Sequence, residues 1–177
     1  MKILAVVAIA VLSACLAGAE ETELGDAWKE FFPKGATLTK VDGLKKNDKA
    51  YQVTGPEGEP SGWVFRTDRM APRVRGFSDQ IGILIAVSPE LRIVGMKVLR
   101  SRETPGYFRR LRSTFFKQFE HHPVTHLHEN VEAVSGATIS STAIIRDVSR
   151  STTNLLGQLD LLDRVLDSKG KPAAEKK

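Results

Sequence analysis

Four stretches of the chain hold side chains whose type and spacing could do chemistry. Ser135-Gly136-Ala137-Thr138 stands where the β-prone run Val131–Val134 gives way to a helical pattern that starts near Ser140. A helix start there offers unpaired backbone N–H groups and the positive end of the helix dipole, and Gly136 and Ala137 leave room for close approach, so a phosphate-bearing ligand fits. The same four residues, followed by Ser140, Ser141 and Thr142, also read as an ordinary Ser/Thr-rich helix cap. Both readings stand on these residues alone. Glu103-Thr104-Pro105-Gly106, with Tyr107 after it, reads as a turn after a strand. All 4 histidines fall between His121 and His128. In extended backbone His126 and His128 share a face and could bind zinc, copper or nickel. No cysteine or carboxylate pattern completes that site, so we read a solvated loop and assign no metal. Arg73, Arg75, Arg100, Arg102, Arg109, Arg110 and Arg112 could attract a phosphate, an anionic lipid or an acidic redox partner, or simply form a solvated helix face. No nucleophile–base pair or carboxylate dyad emerges, so no catalytic residue is assigned.

The elements that must position these stretches follow from periodicity. Leu24, Ala27, Trp28, Phe31 and Phe32 have helical spacing and end at Pro33 and Gly35, which predicts a short amphipathic helix packed over a sheet. Ala50–Thr54 and Gly62–Thr67 flank a Pro/Gly-rich loop and predict a hairpin. Ile81, Ile83, Ile85 and Val87 alternate along one face, Ser88-Pro89-Glu90 turns, and Ile93–Leu99 returns antiparallel. From Ser140 onward, Ile144, Val148, Leu155, Leu159, Leu162 and Leu166 share the face of one long helix, or of two broken near Gly157, which covers the sheet. The polar ending Ser168–Lys177 has no apolar periodicity and predicts a disordered tail.

A chain of 177 residues with 41% apolar and 27% charged content suits one globular domain and excludes collagen-like, low-complexity and polytopic membrane proteins. The net charge of +5 comes from Lys and Arg scattered among acids, so no basic stripe marks a nucleic-acid footprint. The single cysteine, Cys15, precedes the folded region, which excludes disulfides, Cys-based zinc, iron–sulfur clusters and C-x-x-C-H haem there. Any redox role needs an organic cofactor. Lys2 ahead of an apolar run, with small residues behind it, reads as a secretory signal, and the run is shorter than the roughly 20 residues that span a bilayer. Two exits compete: Leu12-Ser13-Ala14-Cys15 resembles a lipobox that would lipidate Cys15, and Ala17-Gly18-Ala19 offers an A-x-A cut before Glu20. Either exit makes the mature protein extracytoplasmic, in a periplasm or cell envelope.

The longer run Val131-Glu132-Ala133-Val134-Ser135-Gly136-Ala137-Thr138-Ile139-Ser140-Ser141 resembles the flavinylation motif of the FMN-binding domain family. That family includes the covalent-flavin subunits of sodium-pumping NADH:quinone reductases and Rnf complexes, and the flavin domain of nitrous-oxide reductase regulators. Its motif is Asp-x-x-Ser/Thr-Gly-Ala-Thr, whose last hydroxyl is esterified to the FMN phosphate by a separate flavin transferase. The resemblance implies that Thr138 is the acceptor, with Ser135, Gly136, Ala137 and Ser140 around the phosphate and Glu132 read by the transferase, where the family usually has Asp. Glu103-Thr104-Pro105-Gly106 matches a second family segment and implies, with Tyr107, a pocket for the ring. Tyr107-Phe108 replaces the Leu-Gly pair frequent there, and Gly76-Phe77-Ser78-Asp79 only partly matches a glycine-rich stretch, so the pocket's shape differs. Implied overall is an α+β fold, a twisted and largely antiparallel sheet packed by helices. It would form a single FMN-binding domain over 20–166, with its flavin-binding core about 75–160, after a 1–19 signal and before a 167–177 tail. The resemblance implies an extracytoplasmic electron carrier with covalent FMN, exchanging electrons with membrane or periplasmic redox proteins. An FMN-dependent reductase, or a metal-binding lipoprotein using His121–His128, are the alternatives.

Overall fold

A computed structural model describes residues 24–45, 47–70, 81–101, 111–125, 127 and 131–161. Five strands form one antiparallel sheet in chain order: β1 (Thr37–Lys40), β2 (Ala50–Thr54), β3 (Pro60–Arg66), β4 (Gly82–Val87) and β5 (Ile93–Arg100). The expected β2–β3 hairpin forms, with Tyr51 opposite Val64 and a bulge between Val53 and Thr54. The predicted β4–β5 pair also forms, with Ile85 opposite Met96. Such a meander needs only short returns between neighbouring strands, the geometry that antiparallel ladders allow.

Side-chain alternation splits this sheet's interior into two cores. On one face, Phe65, Ile83, Ile85, Val87 and Ile93 pack with Phe115, Phe119, Ile144, Val148 and Leu155. On the other, Tyr51, Val53, Val64, Leu84 and Ala86 pack with Leu24, Trp28 and Phe32. With both faces covered, every residue of β4 is buried. The second core is closed by a 3₁₀ helix, Gly25–Glu30, rather than the α-helix its spacing suggests. Phe31 follows it and lies over β5 at Gly95, where any Cβ would overlap the Phe31 ring.

One long helix, α1 (Thr138–Gln158), crosses the first face. It starts two residues before the expected Ser140 and passes through Gly157 unbroken. Ile144, Val148 and Leu155 face the core as the periodicity requires, whereas Leu162 and Leu166 lie outside the described residues. Its far end is tied to the β1–β2 connection: the buried Asp48 carboxylate accepts from Asn154 Nδ2 (3.0 Å) and Gln158 Nε2 (2.8 Å), and Gln158 Oε1 accepts from Lys45 N–H (2.6 Å). Two elements join those expected from the sequence: the mostly exposed edge strand β1, and the π and 3₁₀ turns of Leu111–Phe115 and Phe116–Phe119, which bury Leu111, Phe115, Phe116 and Phe119. Those turns place Phe119 against Phe115 edge-on at 5.3 Å between ring centroids, a rigid aromatic base for the segment beside α1. Among the described residues, no helix is long and apolar enough to cross a membrane.

Candidate functional site at the head of α1

Val131–Val134 is irregular backbone rather than the β-prone run its composition suggests. It leads into a tight turn in which Ala137 N–H donates to Val134 C=O at 2.9 Å. Gly136 is the third residue of that turn, with φ +77°. A turn with positive φ at this position needs glycine, because an L side chain there meets the following carbonyl. The turn delivers Thr138 as the first residue of α1, its side chain exposed. Thr138 Oγ1 makes one long contact, 3.5 Å to Val134 C=O.

Ala137 at the N-cap makes no side-chain cap, and the first turn of α1 holds no acid. The amides of a helix's first turn point out of its start, so the positive end of the dipole lies beside the Thr138 hydroxyl. Ser135, Gly136 and Ile139 are also exposed there, Ile139 at 61%. Ala137 and Ser140 are instead buried, at 7% and 5% exposure, and belong to the floor of the site. A phosphate monoester or diester fits this arrangement: an open hydroxyl to bond it, helix-end donors to receive its oxygens, and no first-turn carboxylate to repel it.

Two side chains that the sequence did not single out for this role hold this entrance in shape. Ser141 Oγ is fully buried; it accepts from Val134 N–H at 3.1 Å and donates to Ala137 C=O at 2.9 Å, pinning the turn to the helix. Gln118, on the 3₁₀ turn, pairs its amide with the backbone of Glu132. Its Oε1 accepts from Glu132 N–H at 2.9 Å and its Nε2 donates to Glu132 C=O at 3.3 Å. The Glu132 side chain is left exposed, on the same loop as Thr138. Glutamine and serine are common polar residues, so nothing in their local sequence marks these roles.

Beyond the entrance, a shallow, open recess of about 280 Å³ lies along Thr142, Ile145, Arg146, Ser149 and Arg150 of α1. Thr142, Ile145 and Ser149 follow Thr138 at helical spacing, so this recess continues the face that carries the hydroxyl. Of the other residues picked out by sequence, Glu103–Tyr107, Cys15, His126 and His128 lie outside the described residues. His121 and His122 are placed: His121 adopts φ +64°, and its carbonyl accepts from Arg92 Nη1 at 2.8 Å. Among the described residues no group of three or more His, Cys, Asp or Glu is arranged to hold a metal.

Comparison with known proteins includes a match that covers this site. Residues 76–152, which include β4, β5, the turn and Thr138, match the FMN-binding domain. A component of the ion-translocating oxidoreductase complex of Methanosarcina acetivorans is 31% identical over 133 residues, covering 68% of this chain and 68% of the relative. With a relative this similar over two thirds of its length, and a domain match that spans β4, β5 and the head of α1, the chain belongs to the FMN-binding domain family.

Proposed function

We propose that this protein is an electron carrier whose FMN is attached through a phosphodiester to Thr138. The observation that carries the proposal is the exposed Thr138 hydroxyl at the head of a 21-residue helix with neither a side-chain cap nor a first-turn acid. The similarity to a component of an ion-translocating oxidoreductase complex supports a redox role among membrane partners. Attachment needs an activated phosphoryl donor, for which flavin adenine dinucleotide and a flavin transferase suffice. Thr138 Oγ1 forms the new O–P bond as the P–O–P bond breaks, AMP leaves, and the hydroxyl proton passes to a base of the transferase. No electrons are exchanged in that step.

When bound, the flavin supplies one- and two-electron chemistry, and the protein supplies binding, orientation and electrostatics. The helix end would take the phosphate's charge. Ile145 offers an apolar surface and Arg146 and Arg150 positive charge in the recess on the same face, a fitting bed for a ring that takes up negative charge on reduction. Thr104 and Tyr107 would complete the ring pocket, with Thr104 tuning the potential. A tether suits an extracytoplasmic protein, anchored by lipid on Cys15, because lost cofactor could not be replaced from the cytosol. Co-expression with a flavin transferase tests the reading: the protein is expected to keep yellow flavin after denaturation, Thr138→Ser to keep it, and Thr138→Ala to lose it. Denaturation-resistant flavin on the Ala variant would overturn it.

A further inference from the structure

We propose that Gln118 is a positioning residue for modification of Thr138: it presents the Glu132–Thr138 loop to the flavin transferase in a ready-made shape. The inference rests on the covalent attachment proposed above. Its basis is the two-bond pairing of one side-chain amide with one backbone unit, Glu132 N–H to Oε1 at 2.9 Å and Nε2 to Glu132 C=O at 3.3 Å. Only one orientation of the amide satisfies both bonds, so the pair fixes the loop's direction as well as its distance.

The support beneath Gln118 is stiff and the loop above it is not. Gln118 sits between Phe116 and Phe119, which are buried with Phe115, and the Phe115 ring meets both edge-on at 5.6 and 5.3 Å. From Glu132 to Ile139, by contrast, only Ala137 is buried and Val134 half-buried, and the backbone is not part of any sheet. At its helix end this segment is tied by Ser141 Oγ, and at its outer end by the Gln118 amide. With both ties in place, the backbone at Glu132 is held at a fixed spacing from the turn that presents the Thr138 hydroxyl. Without Gln118 the outer half of the loop samples other shapes, and a partner that binds one shape sees an affinity reduced by the fraction in that shape.

That mechanism predicts a particular kinetic signature. Two exposed hydrogen bonds of ordinary strength, each worth somewhat under about 1 kcal/mol, hold an equilibrium by about tenfold. Gln118→Leu, similar in size and unable to make either bond, should raise the transferase's KM for this protein about tenfold and leave kcat nearly unchanged, since Thr138 itself is intact. Gln118→Glu keeps an acceptor for Glu132 N–H and loses the donor to Glu132 C=O, and should fall between Leu and the parent. The experiment uses the full chain, a purified flavin transferase and flavin adenine dinucleotide. Intact mass follows attachment, and amide hydrogen exchange at Glu132 in the untreated protein is expected to quicken in the same order.

A purely structural Gln118 would lower the melting temperature yet leave KM for the folded protein where it was. Unchanged KM in both variants, with the parent fully modified, overturns the positioning role and leaves Thr138 as acceptor. A parent that never accepts flavin overturns the attachment reading itself. If Gln118→Leu does not fold, Gln118→Glu carries the test through its KM alone.

Discussion

Ser141 and Ser151 present the same hydroxyl, on the same helix, at positions that are both 0% exposed, yet their surroundings predict opposite responses to Ala. Ser141 Oγ accepts from Val134 N–H at 3.1 Å and donates to Ala137 C=O at 2.9 Å, with Thr138 C=O also near at 3.2 Å. Its removal strands the Val134 N–H at the base of the site, at a cost of about 1–3 kcal/mol, from which the better helix propensity of Ala returns about 0.5 kcal/mol. Ser151 Oγ has no hydrogen-bond partner among the described residues. Removing it relieves a buried, unsatisfied hydroxyl and gains the same propensity, so Ser151→Ala should be neutral or stabilising by up to about 1 kcal/mol. Urea unfolding with a shared slope would measure the gap, expected at about 2 kcal/mol with Ser141→Ala the weaker protein. In thermal melts the same gap is a separation of about 4–8 °C. Equal losses in the two variants would refute this reading of α1's buried face and of the pin that holds the turn to the helix.

Other parts of the fold make similarly direct predictions. Gly136→Ala must adopt the +77° φ of the turn and should lose about 1–2 kcal/mol in chemical unfolding. Asp48→Ala removes the acceptor shared by the Asn154 and Gln158 amides and should lose about 1–3 kcal/mol, with a double-mutant cycle against Gln158→Ala showing coupling above about 0.5 kcal/mol. Gly95→Ala places a methyl against the Phe31 ring and should lose about 1–3 kcal/mol, part of which Phe31→Leu recovers in the double variant.

The sheet's centre is legible in the sequence because β4 and β5 are apolar, β-prone runs on either side of the Ser88-Pro89-Glu90 turn, and the 3.6-residue pattern of Ile144, Val148 and Leu155 marks α1. β1 leaves no such mark, because an edge strand with a mostly exposed pattern has no hydrophobic signature. Val131–Val134 misleads through composition: β-branched residues favour strands, but here Val131 packs into the core while the backbone pairs with the Gln118 side chain instead of a neighbouring strand. At the candidate site, the helix start within two residues is readable from the Ser-Gly-Ala-Thr run, whereas the positive φ of Gly136 emerges only in the folded turn. Ser141 and Gln118 are not readable either, since their roles depend on which backbone groups the fold brings within 3.3 Å of them. The resemblance to the FMN-binding domain family carries the cofactor, which composition and periodicity do not specify.

The measurement that bears most directly on covalent attachment is the intact mass, under denaturing conditions, of the protein treated with a flavin transferase and flavin adenine dinucleotide, beside Thr138→Ala treated identically. The parent is expected to gain one FMN less one water, with peptide mapping placing the addition on Thr138, and the Ala variant to gain nothing. An unmodified parent, or an Ala variant that gains the same mass, would contradict Thr138 as the flavin's point of attachment.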